Sequence, residues 1–160
     1  NSLFNPQLWN LYSFNRNSPL TFFDPNGNSS LTFVRSTQTL SLFDNHGNLI
    51  GTYNASNNAS SGHDQFPNGT FNFHHFTPHP NASASADISS SGFYGFLVNG
   101  QIDLGVHAGR LGDSDGAGRI GWRHATFGCI RTTEDAMGAI ASRFQVHDPL
   151  TSITVKDNAN

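Results

Sequence analysis

The sequence has little charge, a single cysteine and no long apolar run. Asp, Glu, Lys and Arg together make up 12% of its 160 residues, and the formal net charge is −3. The chain as a whole therefore offers a nucleic acid no electrostatic attraction. No apolar stretch approaches the roughly 20 residues that a membrane-spanning helix needs, so no membrane span is expected. One cysteine, Cys129, excludes an internal disulfide.

Aromatic and small polar residues take the place of the missing charge. Fourteen Phe, sixteen Gly and abundant Asn, Ser and Thr, with few strong helix formers, predict a mainly β domain. Apolar alternation predicts strands near residues 30–36, 39–43, 49–55, 70–76, 93–98, 101–106 and 150–155. Asn99-Gly100 is a type I′ turn pair. Thr132 or Thr133 is expected to cap a short helix that reaches Phe144, and the Ala/Ser-rich stretch 81–92 is expected to be a flexible insertion.

Chemistry-bearing residues concentrate between Gly105 and Met137, which contain Cys129, His107 and His124. A thiol becomes a nucleophile when it loses its proton, and a nearby imidazole is the usual acceptor. His107 is the preferred base, with His124 as its rival. Gly128 permits tight backbone geometry, so the amides of Gly128 and Cys129 could bind an oxyanion. The alternative is that Cys129 is a small buried apolar residue without chemistry.

Arginines near Cys129 suggest substrate binding. Arg131 shares a strand face with Cys129 by the period of two, so it is expected to hold a substrate carboxylate. Arg110 and Arg123 stand in or beside the glycine-rich loop 108–121 and, with Thr126, are further candidates, a solvated rim being the alternative. Nearby cations would lower the pKa of the thiol.

Histidines 74, 75 and 79 invite comparison with a metal site. Adjacent strand residues point to opposite faces, so His74 and His75 are not expected to bind one ion. No Cys or acidic partner stands at a zinc-like spacing. Neither a metal nor a cofactor is expected.

The pattern of His107 followed by Thr126-Phe127-Gly128-Cys129-Ile130-Arg131 resembles the catalytic signature of YkuD-type L,D-transpeptidases, especially their interbacterial effector branch. The similarity covers roughly residues 30–145, although Phe127 stands where many members have a second histidine. It implies a β-sandwich or mixed sheet with one short helix after Cys129, and no cofactor. It also implies acyl transfer on peptidoglycan tetrapeptide stems, with Cys129 as nucleophile and His107 as base.

The first 29 residues resemble the end of an Rhs repeat-associated core, through Asn10-Leu11-Tyr12 and the later Asp24-Pro25-Asn26-Gly27. This resemblance implies a boundary between a leader, 1–29, and a catalytic domain, 30–160. It further implies a fragment of a longer Rhs shell protein, delivered as a toxin to the periplasm of a target bacterium, with a cognate immunity protein.

Two other functions compete with this interpretation. One is a Cys-His peptidoglycan amidase of the NlpC/P60 kind, in which the cysteine usually opens a helix and precedes its histidine. The other is a non-catalytic cell-wall-binding module in which Cys129 is merely buried. The sequence does not distinguish hydrolysis, D-amino-acid exchange and cross-linking.

Overall fold

The computed structural model describes residues 28–159. The predicted Rhs-like leader falls outside these residues except for its last two positions. Within the described part the chain forms eight strands and one α-helix. The strands are β1 (Ser29–Val34), β2 (Thr39–Phe43), β3 (Leu49–Ser56), β4 (Gly69–Thr77), β5 (Phe93–Val98), β6 (Gln101–His107), β7 (Ile130–Thr132) and β8 (Leu150–Lys156). The helix is α1 (Glu134–Gln145), and a 3-10 turn spans Gly121–Arg123.

The eight strands close into a barrel in the order β1-β2-β3-β7-β6-β5-β4-β8. Strand β1 pairs with β8 in parallel, and β6 pairs with β7 in parallel, while the other neighbours are antiparallel. The expected mainly β fold with a mixed sheet and one helix after Cys129 is confirmed. Closure into a barrel leaves the sheet without a free edge, which protects it from pairing with other chains.

Alternating apolar residues place the core inside the barrel. Leu31 and Phe33 of β1 and Leu40 and Leu42 of β2 are each at most 1% exposed, as the period of two requires. The core also includes a residue from outside the strands, Phe66, which packs edge-to-face against other rings of the barrel. The loop 57–68 is thereby fastened to the core, close to the site described below.

Local sequence signals set the turns and the helix start. Asn99 and Gly100 have φ of 49° and 81°, as a type I′ turn requires, and they join β5 to β6. The helix cap is Thr133, whose side chain accepts a hydrogen bond from the amide of Ala136. Thr132, the alternative cap, instead ends β7 and donates its hydroxyl to the carbonyl of Asn54.

Helix α1 packs its apolar side against the core. Ala136, Met137 and Ile140 are buried at helical spacing, and Phe144 packs beside the rings of Tyr94 and Phe73. No helix in residues 28–159 has the length and apolarity to cross a membrane.

Candidate active site

The parallel pair β6–β7 brings the cysteine and the preferred histidine together. Val106 pairs with Ile130, and His107 pairs with Arg131. Val106 and Ile130 are core residues, so the period of two turns His107 and Cys129, the residue before β7, away from the core. Both side chains lie along one cavity of about 860 Å³. The structure thus places the two residues that the sequence analysis paired along the same cavity.

The cavity is bounded by the loop 57–68, the ends of β4 to β6, and the segment after β4. Its polar lining consists mainly of histidine and aspartate, and Phe127 stands at its rim, 70% exposed and stacked on the ring of His63 at 4.4 Å. The titratable lining residues are His63, Asp64, His75, His79, Asp87, Asp103, His107 and Cys129.

The backbone around Cys129 is fixed by two buried polar side chains. Asn57 donates from Nδ2 to the carbonyls of Gly128 and Cys129 at 2.8 and 3.0 Å, and its Oδ1 accepts from the amide of Phe66 at 2.7 Å. Thr126, which lines the cavity, donates its hydroxyl to the carbonyl of Cys129 at 2.7 Å and accepts from the amide of Gly128 at 3.2 Å. Such fixation positions a nucleophile before the substrate arrives.

The hydrogen bond that the Gly128 amide donates to Thr126 occupies one of the two amides expected to bind an oxyanion. Because the Gly128 amide already donates to a hydroxyl, it is not a free oxyanion donor in this structure. The Thr126 hydroxyl is thus engaged with the backbone of Gly128 and Cys129. In this structure Thr126 orients the Cys129 segment, rather than offering its hydroxyl to the substrate as expected.

Glycine is the only residue type that the backbone at position 128 accommodates without strain. Its φ is 113°, and an added Cβ would stand 2.8 Å from the carbonyl oxygen of Asp64 and 2.9 Å from Leu104. We expect Gly128→Ala to lower the free energy of unfolding by about 1–3 kcal/mol. Urea denaturation measures this. Gly116→Ala is the matched control, because nothing lies within 4 Å of its added Cβ; equal effects of the two substitutions would contradict the assignment.

His107 is neutral in the folded protein. It is 2% exposed; burial first, and the Arg131 guanidinium second, lower the pKa of His107 to about 4. The carbonyls of Ala108 and Asp87 and the Asp87 carboxylate favour the charged form but only partly offset burial. Nδ1 of His107 lies 3.2 Å from the carbonyl oxygen of Ala108. When Nδ1 donates to that carbonyl, Nε2 is the nitrogen free to accept a proton.

The thiol of Cys129 is also neutral, contrary to the sequence-based expectation. Burial raises the pKa of Cys129 to about 11, whereas the Gly105 amide and the Arg131 guanidinium act in the opposite direction. The cation thus has the expected sign, but desolvation outweighs it. The resting site holds a neutral thiol and a neutral imidazole, so proton transfer must accompany attack on the substrate.

Arg131 does not reach the cavity, and its expected grip on a substrate carboxylate is wrong for this structure. The side chain is 0% exposed; it donates to the carbonyl of Asp87 at 2.6 Å and to the Asp87 carboxylate at 2.8 Å. The segment that carries Asp87 covers it, and that segment is bonded to the chain just after β6 through Ser89 with Ala108 and through Ala86 with Arg110. Arg131 acts on the site by holding Asp87, which lines the cavity, and through its positive charge, which affects the pKa values of His107 and Cys129.

This ion pair is asymmetric, since the Arg131 side chain is 0% and the Asp87 side chain 55% exposed. Asp87→Ala leaves a buried guanidinium without its counter-charge, so we expect a loss of about 3 kcal/mol in unfolding free energy. Arg131→Met is expected to cost less, because Asp87 remains hydrated and paired with Arg110. Chemical denaturation of both variants tests the order. Asp113→Ala, which breaks only an exposed pair, is the control and should cost under about 1 kcal/mol.

Three other predicted substrate-binding residues lie outside the cavity lining. His124 follows the 3-10 turn, and its Nδ1 lies 2.9 Å from the carbonyl oxygen of Ala125. Arg110 pairs with Asp87 and Asp113, and Arg123 stacks over the ring of Trp122 at 4.8 Å. The solvated or structural alternative therefore describes all three in this structure, and His124 is not a rival base within the cavity.

Asp87 and Asn57 are the site residues that sequence reasoning missed. The segment 81–92, expected to be a flexible insertion, is fastened to the strand end instead: Ser89 donates its amide to Ala108, and Arg110 donates its amide to Ala86. The Ala/Ser-rich composition of this segment does not predict these contacts. The one available signal was that Asp87 is the sole charged residue within that stretch.

A bulge in β4 changes the picture of the adjacent histidines. The register slips between Phe73 and His75, and the Nδ1 atoms of His74 and His75 come within 3.0 Å. The expectation that their side chains diverge is therefore wrong, because a bulge interrupts the strict alternation. In the part of the chain that the structure describes, no group of three or more His, Cys, Asp or Glu side chains is arranged to hold a metal ion.

Solved structures share this fold at low sequence identity. Bd1075 of Bdellovibrio bacteriovorus superposes with a TM-score of 0.62 at 16% identity, over 88% of this chain and 52% of its own. An L,D-transpeptidase of Xylanimonas cellulosilytica matches with a TM-score of 0.52 at 16% identity, over 84% and 63%. An L,D-transpeptidase of Stackebrandtia nassauensis gives 0.52 at 13%, over 89% and 62%.

These likenesses define the fold as that of L,D-transpeptidases. The chain spans between about half and somewhat under two thirds of the length of those three proteins. The sequence matches no protein-family model and no curated protein. What the chain does therefore rests on its own site.

Proposed function

We propose that this protein is a cysteine acyltransferase that acts on peptidoglycan tetrapeptide stems, as an L,D-carboxypeptidase or L,D-transpeptidase. The observation that carries the proposal is that the single cysteine, Cys129, and the buried neutral His107 line one cavity. The fold shared with L,D-transpeptidases supports the choice of substrate class.

The first half-reaction transfers the stem to the enzyme. The thiol proton passes to the imidazole of His107 while the Cys129 sulfur bonds to the carbonyl carbon of the third stem residue. The bond from that carbon to the nitrogen of the terminal D-alanine then breaks, and this nitrogen takes the proton from His107. The backbone amide of Cys129 is the proposed donor to the developing oxyanion.

The second half-reaction frees the enzyme. Water, a free D-amino acid or the amine of another stem attacks the thioester carbonyl and passes a proton to His107. The sulfur leaves and is protonated again, which gives a tripeptide, an exchanged stem or a cross-link respectively. The burial of His107 suits both half-reactions, because an imidazole with a low pKa holds an accepted proton only transiently and passes it on.

The biological setting proposed for this activity comes from the leader resemblance. A domain joined to an Rhs shell and delivered to the periplasm of a target bacterium would act there as a toxin on the cell wall. A cognate immunity protein would protect the producing cell. Periplasmic expression in a sensitive bacterium, compared with cytoplasmic expression, tests this setting: growth arrest confined to periplasmic expression supports it, and equal growth contradicts it.

The enzymatic proposal is tested by incubating the protein with purified disaccharide-tetrapeptides and determining the products by mass spectrometry. Loss of one D-alanine, its replacement by an added D-amino acid, or a cross-linked dimer supports the proposal. Unchanged muropeptides with a folded sample contradict it.

The two competing functions receive no support from the geometry. In an amidase of the NlpC/P60 kind the cysteine opens a helix, whereas Cys129 precedes strand β7 and the helix begins at Glu134. In a non-catalytic module Cys129 would be packed in the core, whereas it lines an open cavity beside His107.

A further inference from the structure

The cavity that holds Cys129 is lined by histidines, but by no arginine or lysine among residues 28–159. Of the seven Arg and Lys residues within 28–159, none lines it. Five arginines are instead paired with aspartates: Arg35, Arg110, Arg119, Arg131 and Arg143. A negatively charged ligand in this cavity must therefore find its hydrogen-bond donors among imidazoles, hydroxyls, amide side chains and backbone amides.

One of these imidazoles is held in place by the sheet itself. His75 pairs with Gly95, which pairs with Gly105 on the next strand. A Cβ at Gly95 would collide with the ring of His75, and one at Gly105 would collide with the ring of Phe93. The two glycines thus allow each ring to lean over the neighbouring strand, toward β7 and the nucleophile.

The leaning rings form a continuous wall that ends at the base. The ring centroids of His75 and Phe93 are 5.9 Å apart, and those of Phe93 and His107 are 6.1 Å apart. An extended peptide advances about 3.3–3.6 Å per residue. The rings of His75 and His107 are therefore at most about 12 Å apart, a span of three to four extended residues.

His75 also has a polar partner that orients its ring. Nδ1 of His75 lies 3.0 Å from Nδ1 of His74, so at most one proton can lie between the two nitrogens. When His74 donates that proton, Nε2 of His75 carries the other ring proton and can donate it to a ligand. His79, a few residues further along the same segment, lines the cavity as well.

The carboxylates of the cavity lie outside β4, which carries His75, and outside the turn that follows it, which carries His79. Asp87 is already bonded to Arg131 and Arg110. Asp64 belongs to the loop 57–68, and Asp103 lies on β6. The wall formed by β4 and the turn after it therefore carries imidazoles alone among its titratable groups.

We propose that His75 and His79 form a subsite that binds a carboxylate of the substrate peptide, and that this subsite selects stems in which that carboxylate is free rather than amidated. The inference rests on the proposed function, because it takes the ligand to be a peptidoglycan stem. It adds a specificity element on the β4 side of the cavity, separate from Cys129 and His107.

The test compares tetrapeptides in which each carboxylate is amidated in turn. For the unmodified peptide, His75→Phe, which keeps a ring over Gly95, should raise KM about tenfold or more with little change in kcat, as loss of a hydrogen bond to a charged group predicts. The peptide in which the recognised carboxylate is amidated should have a similarly high KM with the unaltered protein. With His75→Phe its KM should rise no further. His46→Gln, at an exposed turn outside the cavity, is the control.

Other outcomes overturn the inference. An unchanged KM, or an equal rise for every peptide, would mean that His75 only packs against the sheet. Should His75→Phe fail to fold, His79→Gln takes its place in the same series. Should the unaltered protein cleave none of the peptides, the proposed function fails, and binding to Cys129→Ala decides the inference separately: a preference for one free carboxylate, lost in the His75→Phe background, supports it, and no preference contradicts it.

Discussion

Replacing Cys129 by alanine is expected to reduce the turnover of tetrapeptide stems by at least about 10⁴-fold, because no other group in the cavity can form the acyl-enzyme. The thiol contributes little to the fold: its contact with the carbonyl of Asp103 is 3.7 Å long, which is weak for sulfur, and its other partner is the backbone amide of Gly105. The folded state should therefore survive the substitution. Product analysis by mass spectrometry measures the loss, and thermal unfolding of the variant verifies that it is folded.

A covalent intermediate provides the second readout for Cys129. The unaltered protein, mixed with tetrapeptide and quenched early, should gain the mass of the stem less one D-alanine, whereas Cys129→Ala should gain nothing. Cys129→Ser is the matched variant that keeps the shape and a hydroxyl. A folded alanine variant that retains a tenth or more of the activity would refute the nucleophile.

The reactivity of the resting thiol follows from its environment. Because burial raises the pKa of Cys129 to about 11, alkylation by iodoacetamide should be slow at neutral pH and should accelerate about tenfold per pH unit as the pH rises toward that value. A fast, pH-independent reaction near pH 7 would instead show a preformed thiolate–imidazolium pair, and the proton-transfer step described above would then be wrong.

The parts of the site that sequence could predict are those that local pattern determines. His107 ends a strand that begins after Asn99-Gly100, and Cys129 precedes a short strand and a capped helix, so turn and capping chemistry put each residue at a strand end. The parallel pairing of β6 with β7 then brings those two ends together. The sequence resemblance to L,D-transpeptidases is likewise local, since it rests on His107 and the run Thr126-Phe127-Gly128-Cys129-Ile130-Arg131.

The rest depends on contacts between residues far apart in sequence. Asp87 reaches Arg131 across 44 positions, and Asn57 reaches Gly128 across 71; neither partner is marked by composition or periodicity. The period of two correctly put Arg131 on the same face as Cys129, but it could not show that a loop would cover that face. Once covered, the guanidinium requires a counter-charge, and the thiol loses the hydration that would have favoured its ionisation.

His107→Gln is expected to lower kcat by about 10² to 10⁴-fold, the usual effect of removing a general base. In the unaltered protein kcat/KM should stay level as the pH falls from 7 and decline only near pH 4, where the imidazole gains its proton. A decline centred near pH 6.5 would show that the base titrates as a solvent-exposed histidine does.

His107 should also make the free energy of unfolding depend on pH, and His107→Gln tests the direction of that dependence. The folded-state pKa of His107, about 4, lies below its ordinary value of 6.5, so the unfolded chain binds a proton that the folded protein does not. The stability conferred by the neutral ring is present above pH 6.5 and is lost as the pH falls toward 4, by about 3 kcal/mol in total. The carboxyl groups with shifted pKa values, such as Asp87, are displaced downward from 3.8 and act mainly below this range.

Urea denaturation at intervals between pH 4 and 7 resolves this contribution. The free energy of unfolding of the unaltered protein should fall across the interval, whereas that of His107→Gln should change much less, because glutamine binds no proton. His46→Gln, which removes an exposed imidazole from the turn after β2, should keep the slope of the unaltered protein. Parallel curves for the unaltered protein and His107→Gln would show that the imidazole is not held neutral by burial, and the proton-accepting role assigned to it would lose its physical basis.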